Sequence, residues 1–429
     1  MAQSFQCWGR QPHAQQEIAP LRGRDAAPVF EPGKTYLAHG LGRSYGDSCL
    51  NDGGVLLAAR GMDRFISFDA QSGVLACEAG VSLAEIVEVA LPRGWFLPVT
   101  PGTRFVTVGG AIANDVHGKN HHSAGAFGCH VPEFELLRSD GSVLRCSAGE
   151  NAGLYAATIG GLGLTGLIRW ARLQLRRVPG PWLIGESIKF GSLAEFFALS
   201  RDSDRDYEYT VSWVDCLNRS GRGIFMRGRH APLERPPPRR LALRMPFTPP
   251  ISLVNQWSLR AFNSLYWSRQ QASSVAAQWH WDSFFYPLDG ILDWNRMYGP
   301  RGFFQYQCLL PMAAAEAGLA EMLRRIADAG QGSFLAVLKI FGDQPSPGLL
   351  SFPRPGATLA LDFPNRGEDT LRLLEDLDAI TMAAGGAVYP AKDARMSAAA
   401  FRRYFPRLEE FRRWIDPRFS SSFWRRVQA

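Results

Sequence analysis

Cysteine is scarce and poorly spaced for structural chemistry. The chain has seven (Cys7, Cys49, Cys77, Cys129, Cys146, Cys216 and Cys308), an odd number, and no two stand as C-x-x-C. That argues against a disulfide framework and a thiolate zinc site, and a reducing cytosol fits best. No run of 18 apolar residues occurs, so no transmembrane helix is expected. Met1–Arg10 lacks an apolar core segment, so no signal peptide is expected either. Charged residues make up only 20%, but 46% hydrophobic and 12% aromatic residues exclude a disordered chain. At 429 residues, two domains or one large composite are implied.

What is present in excess is positive charge, +7 overall. It is not spread evenly. Eight arginines and one acid, Glu234, lie between Arg219 and Arg244, and the remaining charges balance. A nucleic-acid-binding surface is therefore not required, and no nucleic-acid partner is expected. The Arg- and Pro-rich text from Arg229 to Pro250 reads as a loop that holds neither helix nor sheet. An apolar-aromatic stretch, Phe247–Trp267, follows it. Arginines beside such residues suit peripheral contact with an anionic membrane; a solvated loop with no partner is the alternative.

Short strands are expected at Thr35–Ala38, Val55–Leu57, Phe65–Phe68 and Val74–Cys77. Ser82 and Glu85 form a capping-box pattern for a helix that Pro92 and Gly94 should end. Ser192 and Glu195 open another, and Tyr207–Val214 alternates like a strand. Further on, Phe303–Leu310, Ala313–Ala329, Phe334–Phe341, Thr358–Phe363, Glu368–Ala384 and Ala387–Pro390 read as β-α-β-β-α-β. Such a unit packs two helices on one sheet face, and the fold class is α+β.

Three glycine-rich blocks stand out: Ala38-His-Gly-Leu-Gly-Arg-Ser-Tyr-Gly-Asp47, Pro101–His122 with Gly109-Gly110 and His117, and Ile159-Gly-Gly-Leu-Gly-Leu-Thr-Gly-Leu-Ile168. The first can turn successive N–H groups towards one anion, although tight turns share its pattern. No G-K-[ST] follows, so it is not a Walker loop. His121, His122 and His130 lack the carboxylate or thiolate spacing of a metal site and read as loop scaffolding, so no metal is expected.

These blocks, with W-N-R-x-Y-G-P at Trp294–Pro300, K-I-F-G at Lys339–Gly342 and A-K-D-x-R at Ala391–Arg395, resemble the decaprenylphosphoryl-β-D-ribose 2′-oxidase family of vanillyl-alcohol-oxidase-type flavoproteins. The resemblance runs from about Trp8 to the C-terminus. It implies a PCMH-type FAD-binding domain over 1–180, a substrate domain over 181–386 with a basic loop at about 229–255, and a return to the first domain over 387–429. The substrate domain would carry an antiparallel sheet with helices on one face. FAD, held non-covalently, would lie along Gly40, Leu41, Gly42, Arg43, Ser44, Tyr45, Gly46 and Asp47. Gly102, Thr107, Val108, Gly109, Gly110, Asn114, His117, Gly118, Ile168 and Tyr389 would line it further.

By the same resemblance Lys392 is the active-site lysine, with His117 and Tyr45 beside the ring. Such a lysine can shift the hydroxyl proton or stabilise charge at the flavin N1–C2=O edge. Gln307, Lys339 and Tyr286 map with Lys392 to the substrate pocket. Ala360 stands where mycobacterial members carry the cysteine attacked by nitroaromatic inhibitors. The implied activity is oxidation of a polyprenyl-phosphoryl ribose at its 2′-hydroxyl by hydride transfer to flavin N5, the first half of a 2′-epimerisation. A separate NAD(P)H-dependent keto-reductase and a quinone or other acceptor would serve it. The expected place is the cytoplasm, peripheral at the inner face of the cell membrane. A soluble sugar or alditol oxidase using O2 is the alternative, and an inactive basic binding module the alternative of another class. The segment before Gly40 is shorter than is usual for the family and shows no helix in its pattern.

Overall fold

A computed structural model describes residues 5–26, 28–238 and 243–429. The first part is built on two sheets. Three parallel strands, Glu17–Pro20, Val55–Ala58 and Tyr36–His39, pair with Val55–Ala58 in the centre. An antiparallel five-stranded sheet follows in the order Phe65–Asp69, Val74–Glu78, Leu167–Gln174, Glu133–Leu137, Val143–Ser147. Among the described residues before Gly40 there are two strands and no helix.

The helix Leu83–Ala90 forms as its sequence requires. Ser82 Oγ accepts from the Glu85 N–H while Glu85 returns the bond to the Ser82 N–H, and Leu83, Ile86, Val87 and Ala90 are buried on one side. A cap of this kind is worth about 1 kcal/mol. Pro92 breaks the donor series, and Gly94 at φ +79° turns the chain out.

The second part is one eight-stranded antiparallel sheet. Its order is Ser274–His280, Trp182–Phe190, Gly223–Ala231, Tyr209–Val214, Val337–Phe341, Gly356–Pro364, Phe303–Leu310, Ala387–Val388. Helices Leu193–Ser203, Met312–Ala329 and Glu368–Ala383 cover one face, burying Phe196, Leu319, Met322, Leu323, Leu373 and Leu377 against Tyr306, Cys308, Leu338, Leu359 and Leu361. Strand alternation then sends Gln305, Gln307, Lys339, Thr358, Ala360 and Asp362 to the opposite face. Register sets them side by side: Gln307 opposes Ala360, Gln305 opposes Asp362, and Lys339 opposes Thr358. A half-polar sheet face of this kind needs a partner, and the loop carrying His117 lies against it.

One expectation is corrected. Arg229–Ala231 is not loop but the end of the nine-residue strand Gly223–Ala231, hydrogen-bonded to neighbours on both sides. Leu243–Arg244 also pairs, in parallel, with Ile291–Leu292. Sheet pairing overrides local composition there, and only from Pro232 does the chain run without regular structure as far as Pro238. Nor do the arginines form one uncompensated cluster. Arg219 pairs with Asp328, Arg222 with Asp215, Arg227 with Glu186 and Arg244 with Asp293, all acids outside the segment. Arg239 and Arg240 lie outside the described residues.

Candidate active site

The site is assembled where three backbone segments converge. After the edge strand Ala387–Val388 the Tyr389 N–H donates to Gln307 O at 2.9 Å, and a single turn, Pro390–Lys392, projects Lys392. The first glycine loop closes on that turn through Tyr45 N–H to Ala391 O at 2.9 Å. A Cβ on Gly46 would sit 1.8 Å from Asp393 O, so only glycine permits this approach. The C-terminal helix Ser422–Gln428 pins both partners: Arg426 reaches Asp47 at 2.7 Å and Asp393 at 3.0 Å. Asp47 thus holds the loop in place with its carboxylate.

Lys392 Nζ lies 4.2 Å from the centre of the Tyr45 ring. Burial draws its pKa below the ordinary lysine range, and the negative charge of Asp362 opposes the shift. Asp362 is itself buried, accepting from Gln305 Nε2 at 2.7 Å and from Tyr298 Oη at 3.3 Å, and burial raises its pKa. Burial, then the charge of Asp362, pushes the Tyr45 phenol well above its usual value. The Lys392, Tyr45, Gln305 and Asp362 side chains therefore form one electrostatic unit.

His117 faces this unit from the second glycine block. Its Nε2 is 2.8 Å from Gln307 Nε2, which also donates to Thr358 Oγ1 at 3.1 Å. The Thr358 hydroxyl gives its own proton to Cys308 O at 2.8 Å, so it can only accept from Gln307. That fixes the Gln307 amide as the donor and leaves the His117 proton on Nδ1, a buried atom with no hydrogen-bond partner. Burial, with Lys339 and Lys392 nearby, keeps the imidazole neutral. The Phe341 and Tyr389 rings lie 4.8 and 5.2 Å from it, and Tyr389 Oη donates to Asn114 O at 2.7 Å. Lys339 donates to Gly118 O at 3.3 Å; burial, with Lys392 beside it, lowers its pKa to about 7.

Several expected residues act as framework. Thr107 caps the helix Val108–Ala113, and the N–H groups of Val108, Gly109 and Gly110 already donate to Val81 O, Ala79 O and Thr107 Oγ1. That helix start is docked on the sheet rather than open to an anion. Val108 and Ile168 are core residues. Tyr286 is fully buried, its hydroxyl 2.6 Å from Thr100 Oγ1, apart from the polar cluster around Gln307. His122 bonds Tyr207 O, His130 bonds Ala124 O, and the His121 ring lies tilted 4.4 Å from that of Phe341. Among the described residues no group of three or more His, Cys, Asp or Glu could hold a metal ion.

The loop chemistry fits a dinucleotide. Among the described residues the N–H groups of Leu41, Gly42, Arg43 and Ser44 have no hydrogen-bond partner, four consecutive donors in one loop. Arg43 does not fill that space, because its guanidinium folds back onto Leu41 O at 2.6 Å and over the Trp8 ring. A Cβ on Gly102 would meet nothing within 4 Å, and on Gly110 only Thr107 Oγ1 at 3.1 Å, so both leave open room. The orphaned His117 Nδ1 suits a polar ring edge.

Two contributors escaped the sequence reading. Asp362 reads there as an acid in an apolar strand, and Lys119 as one letter of a histidine-rich loop. Lys119 donates to Phe284 O, lies 4.4 Å from the Phe284 ring, and has its pKa lowered to about 7 by burial and by Lys339. Composition held a signal for it. Of 47 basic residues only five are lysine (34, 119, 189, 339 and 392), and three of those five meet at this site.

Comparison with known proteins agrees with this geometry. An FAD-binding domain family matches residues 31–147. A decaprenylphosphoryl-beta-D-ribose oxidase of Mycolicibacterium smegmatis is 38% identical over 419 residues, covering 93% of this chain and 90% of that protein. An uncharacterized protein of Streptomyces coelicolor is 36% identical over 370 residues, 81% of this chain and all of that protein. A D-lactate dehydrogenase of Anaerostipes hadrus is 28% identical over 139 residues, 30% of this chain and 28% of its own. An FAD-binding domain matched by family, and a full-length relative matched over nearly the whole chain, leave one conclusion: the chain belongs to the decaprenylphosphoryl-β-D-ribose oxidase family of FAD-dependent oxidoreductases.

Proposed function

We propose that the protein oxidises the 2′-hydroxyl of a polyprenyl-phosphoryl ribose, or a close sugar analogue, to the 2′-keto sugar. The observation that carries the reading is the placing of Lys392 over Tyr45, across from the His117–Gln307 pair and Lys339. When bound, FAD supplies the two-electron acceptor for the carbon-bound hydrogen. Lys392 takes the hydroxyl proton, a task for which an amine drawn below its ordinary pKa is suited near neutral pH. Asp362 favours the ammonium so formed. Gln307 and the neutral His117 are locked by their mutual hydrogen bond and orient the sugar, while Lys339 and Lys119 offer cationic character to an anionic substrate.

Oxidation alone leaves a keto sugar, so a separate NAD(P)H-dependent reductase would complete the epimerisation, and a quinone or similar acceptor would reoxidise the flavin. Such a lipid substrate places the enzyme at the inner face of the cell membrane. The reaction is tested by incubating FAD-loaded protein with polyprenyl-phosphoryl ribose and a soluble quinone, then trapping with borodeuteride. Deuterium at the sugar C2′ is expected. Label at another carbon, or turnover only of free sugars with O2, would replace the reading with that of a soluble sugar or alditol oxidase.

A further inference from the structure

We propose that Leu243–Ser268 forms a membrane-docking face seated on the surface of an anionic bilayer; the inference rests on the lipid-linked substrate above. Large apolar side chains here point into solvent: Phe247 is 62% exposed, Ile251 73%, Trp257 77% and Leu265 73%. Single exposed apolar residues are ordinary, but a run of them on one segment marks an interaction surface. The helix Gln256–Ser268 is the clearest part. Its inner side buries Leu259 and Asn263, and the partly exposed Phe262 ring tilts against Phe334. Its outer side repeats Trp257, Ala261 and Leu265 at i, i+4 and i+8, where polar residues are expected. Among the described residues no helix is long and apolar enough to cross a membrane, so the geometry is that of a helix lying on the surface.

Charge chooses the occupant. Between Glu234 and Asp282 the sequence contains no acid and six arginines, 235, 239, 240, 244, 260 and 269, of which Arg244 is paired with Asp293. A second copy of the same face would bring these like charges together, whereas an anionic bilayer complements them. The surface also connects to the chemistry. Val254 and Leu259, on the inner side, pack with Trp294, Tyr298 and Phe303, the cluster against which Tyr45 rests, and Tyr298 bonds Asp362. Docking here brings the bilayer to the layer of protein directly covering the Tyr45–Lys392 unit, where a lipid tail can stay in the membrane while its sugar reaches the lysine.

The test is co-sedimentation of FAD-loaded protein with vesicles of phosphatidylcholine alone and of an equimolar phosphatidylcholine–phosphatidylglycerol mixture. Binding to the mixed vesicles is expected, weakened at least tenfold by Trp257→Gln with Leu265→Gln. It should weaken about fivefold for each of Arg235→Gln, Arg260→Gln and Arg269→Gln, the fold-change equivalent to about 1 kcal/mol per basic residue. Turnover of a short-chain, water-soluble phosphoryl-ribose analogue should be unchanged in every variant; its absence in the parent protein would count against the proposed reaction, not against docking. Equal binding by parent and variants, or no binding to mixed vesicles, overturns the proposal. So does a parent dimer that the Trp257 and Leu265 substitutions convert to monomer, since it identifies a second copy as the occupant.

Discussion

The Lys392 amine rests 4.2 Å above the Tyr45 ring, and the main chain of the same tyrosine is bonded to Ala391, the neighbour of that lysine. The glycine loop that would hold a pyrophosphate and the turn that carries the proposed proton acceptor are thus one mechanical unit. Positioning of cofactor and base should be lost together when their contact is disturbed.

Lys392→Met should retain FAD but lose at least a hundredfold in the rate of flavin reduction, within the range usual for removal of a general base. Lys392→Arg should not rescue it, since guanidinium stays protonated. Stopped-flow absorbance under anaerobic conditions separates the two effects.

Asp362→Asn removes the charge that raises the Lys392 pKa. With Lys392 as the base, kcat/KM climbs as pH rises through that pKa, so the acid limb should move to lower pH in the variant. A limb left in place, with only a lower plateau, would assign Asp362 a purely structural part.

Gly46→Ala puts a methyl group 1.8 Å from Asp393 O, and the loop must shift. Overpacking of this kind costs about 1–3 kcal/mol. We expect FAD affinity to fall roughly tenfold or more, read by fluorescence titration of the released cofactor.

Lys339 has its pKa lowered from 10.5 to about 7 on folding, by burial. Between those values the unfolded chain binds more protons than the folded one, so this lysine makes stability rise with pH. Thermal unfolding of the cofactor-free protein from pH 7 to 9 should show a shallower rise in Lys339→Met, with a higher Tm at pH 7.

Ala360 opposes Gln307 on the polar sheet face, and Cys308, on the adjoining strand, points into the helix-covered core beside Met322. Nitroaromatic compounds that attack a cysteine at the position of Ala360 should leave no covalent adduct on this protein. Mass spectrometry of intact and digested protein after incubation with the nitroaromatic compound, FAD and substrate checks it; an added inhibitor mass on a peptide lining the site would contradict it.

Much of this was readable from the sequence where the cause is local. The Ser82–Glu85 cap, the Gly94 turn and the strands and helices from Phe303 to Val388 depend on neighbours a few residues away, and their bounds agree to within about three residues. The pairing of Lys392 with Tyr45 and of His117 with Gln307 was expected only as a shared site, since their contacts span hundreds of residues. Asp362 and Lys119 gave no local sign, because cross-strand register and burial against distant segments bring them to the site. The arginine-rich stretch misled for the same reason: its composition is that of a loop, but its first residues, Arg229–Ala231, end a sheet strand, and Arg244 meets Asp293 from elsewhere in the chain.

The central claim is that this chain removes two electrons from a lipid-linked ribose. Anaerobic mixing of FAD-loaded protein with polyprenyl-phosphoryl ribose, beside free pentoses, tests it most directly. Rapid bleaching of the oxidised flavin band with the phosphoryl ribose alone, abolished in Lys392→Met, is the predicted result. A flavin that stays oxidised with every phosphoprenyl sugar, or that bleaches equally with free pentoses, would contradict it.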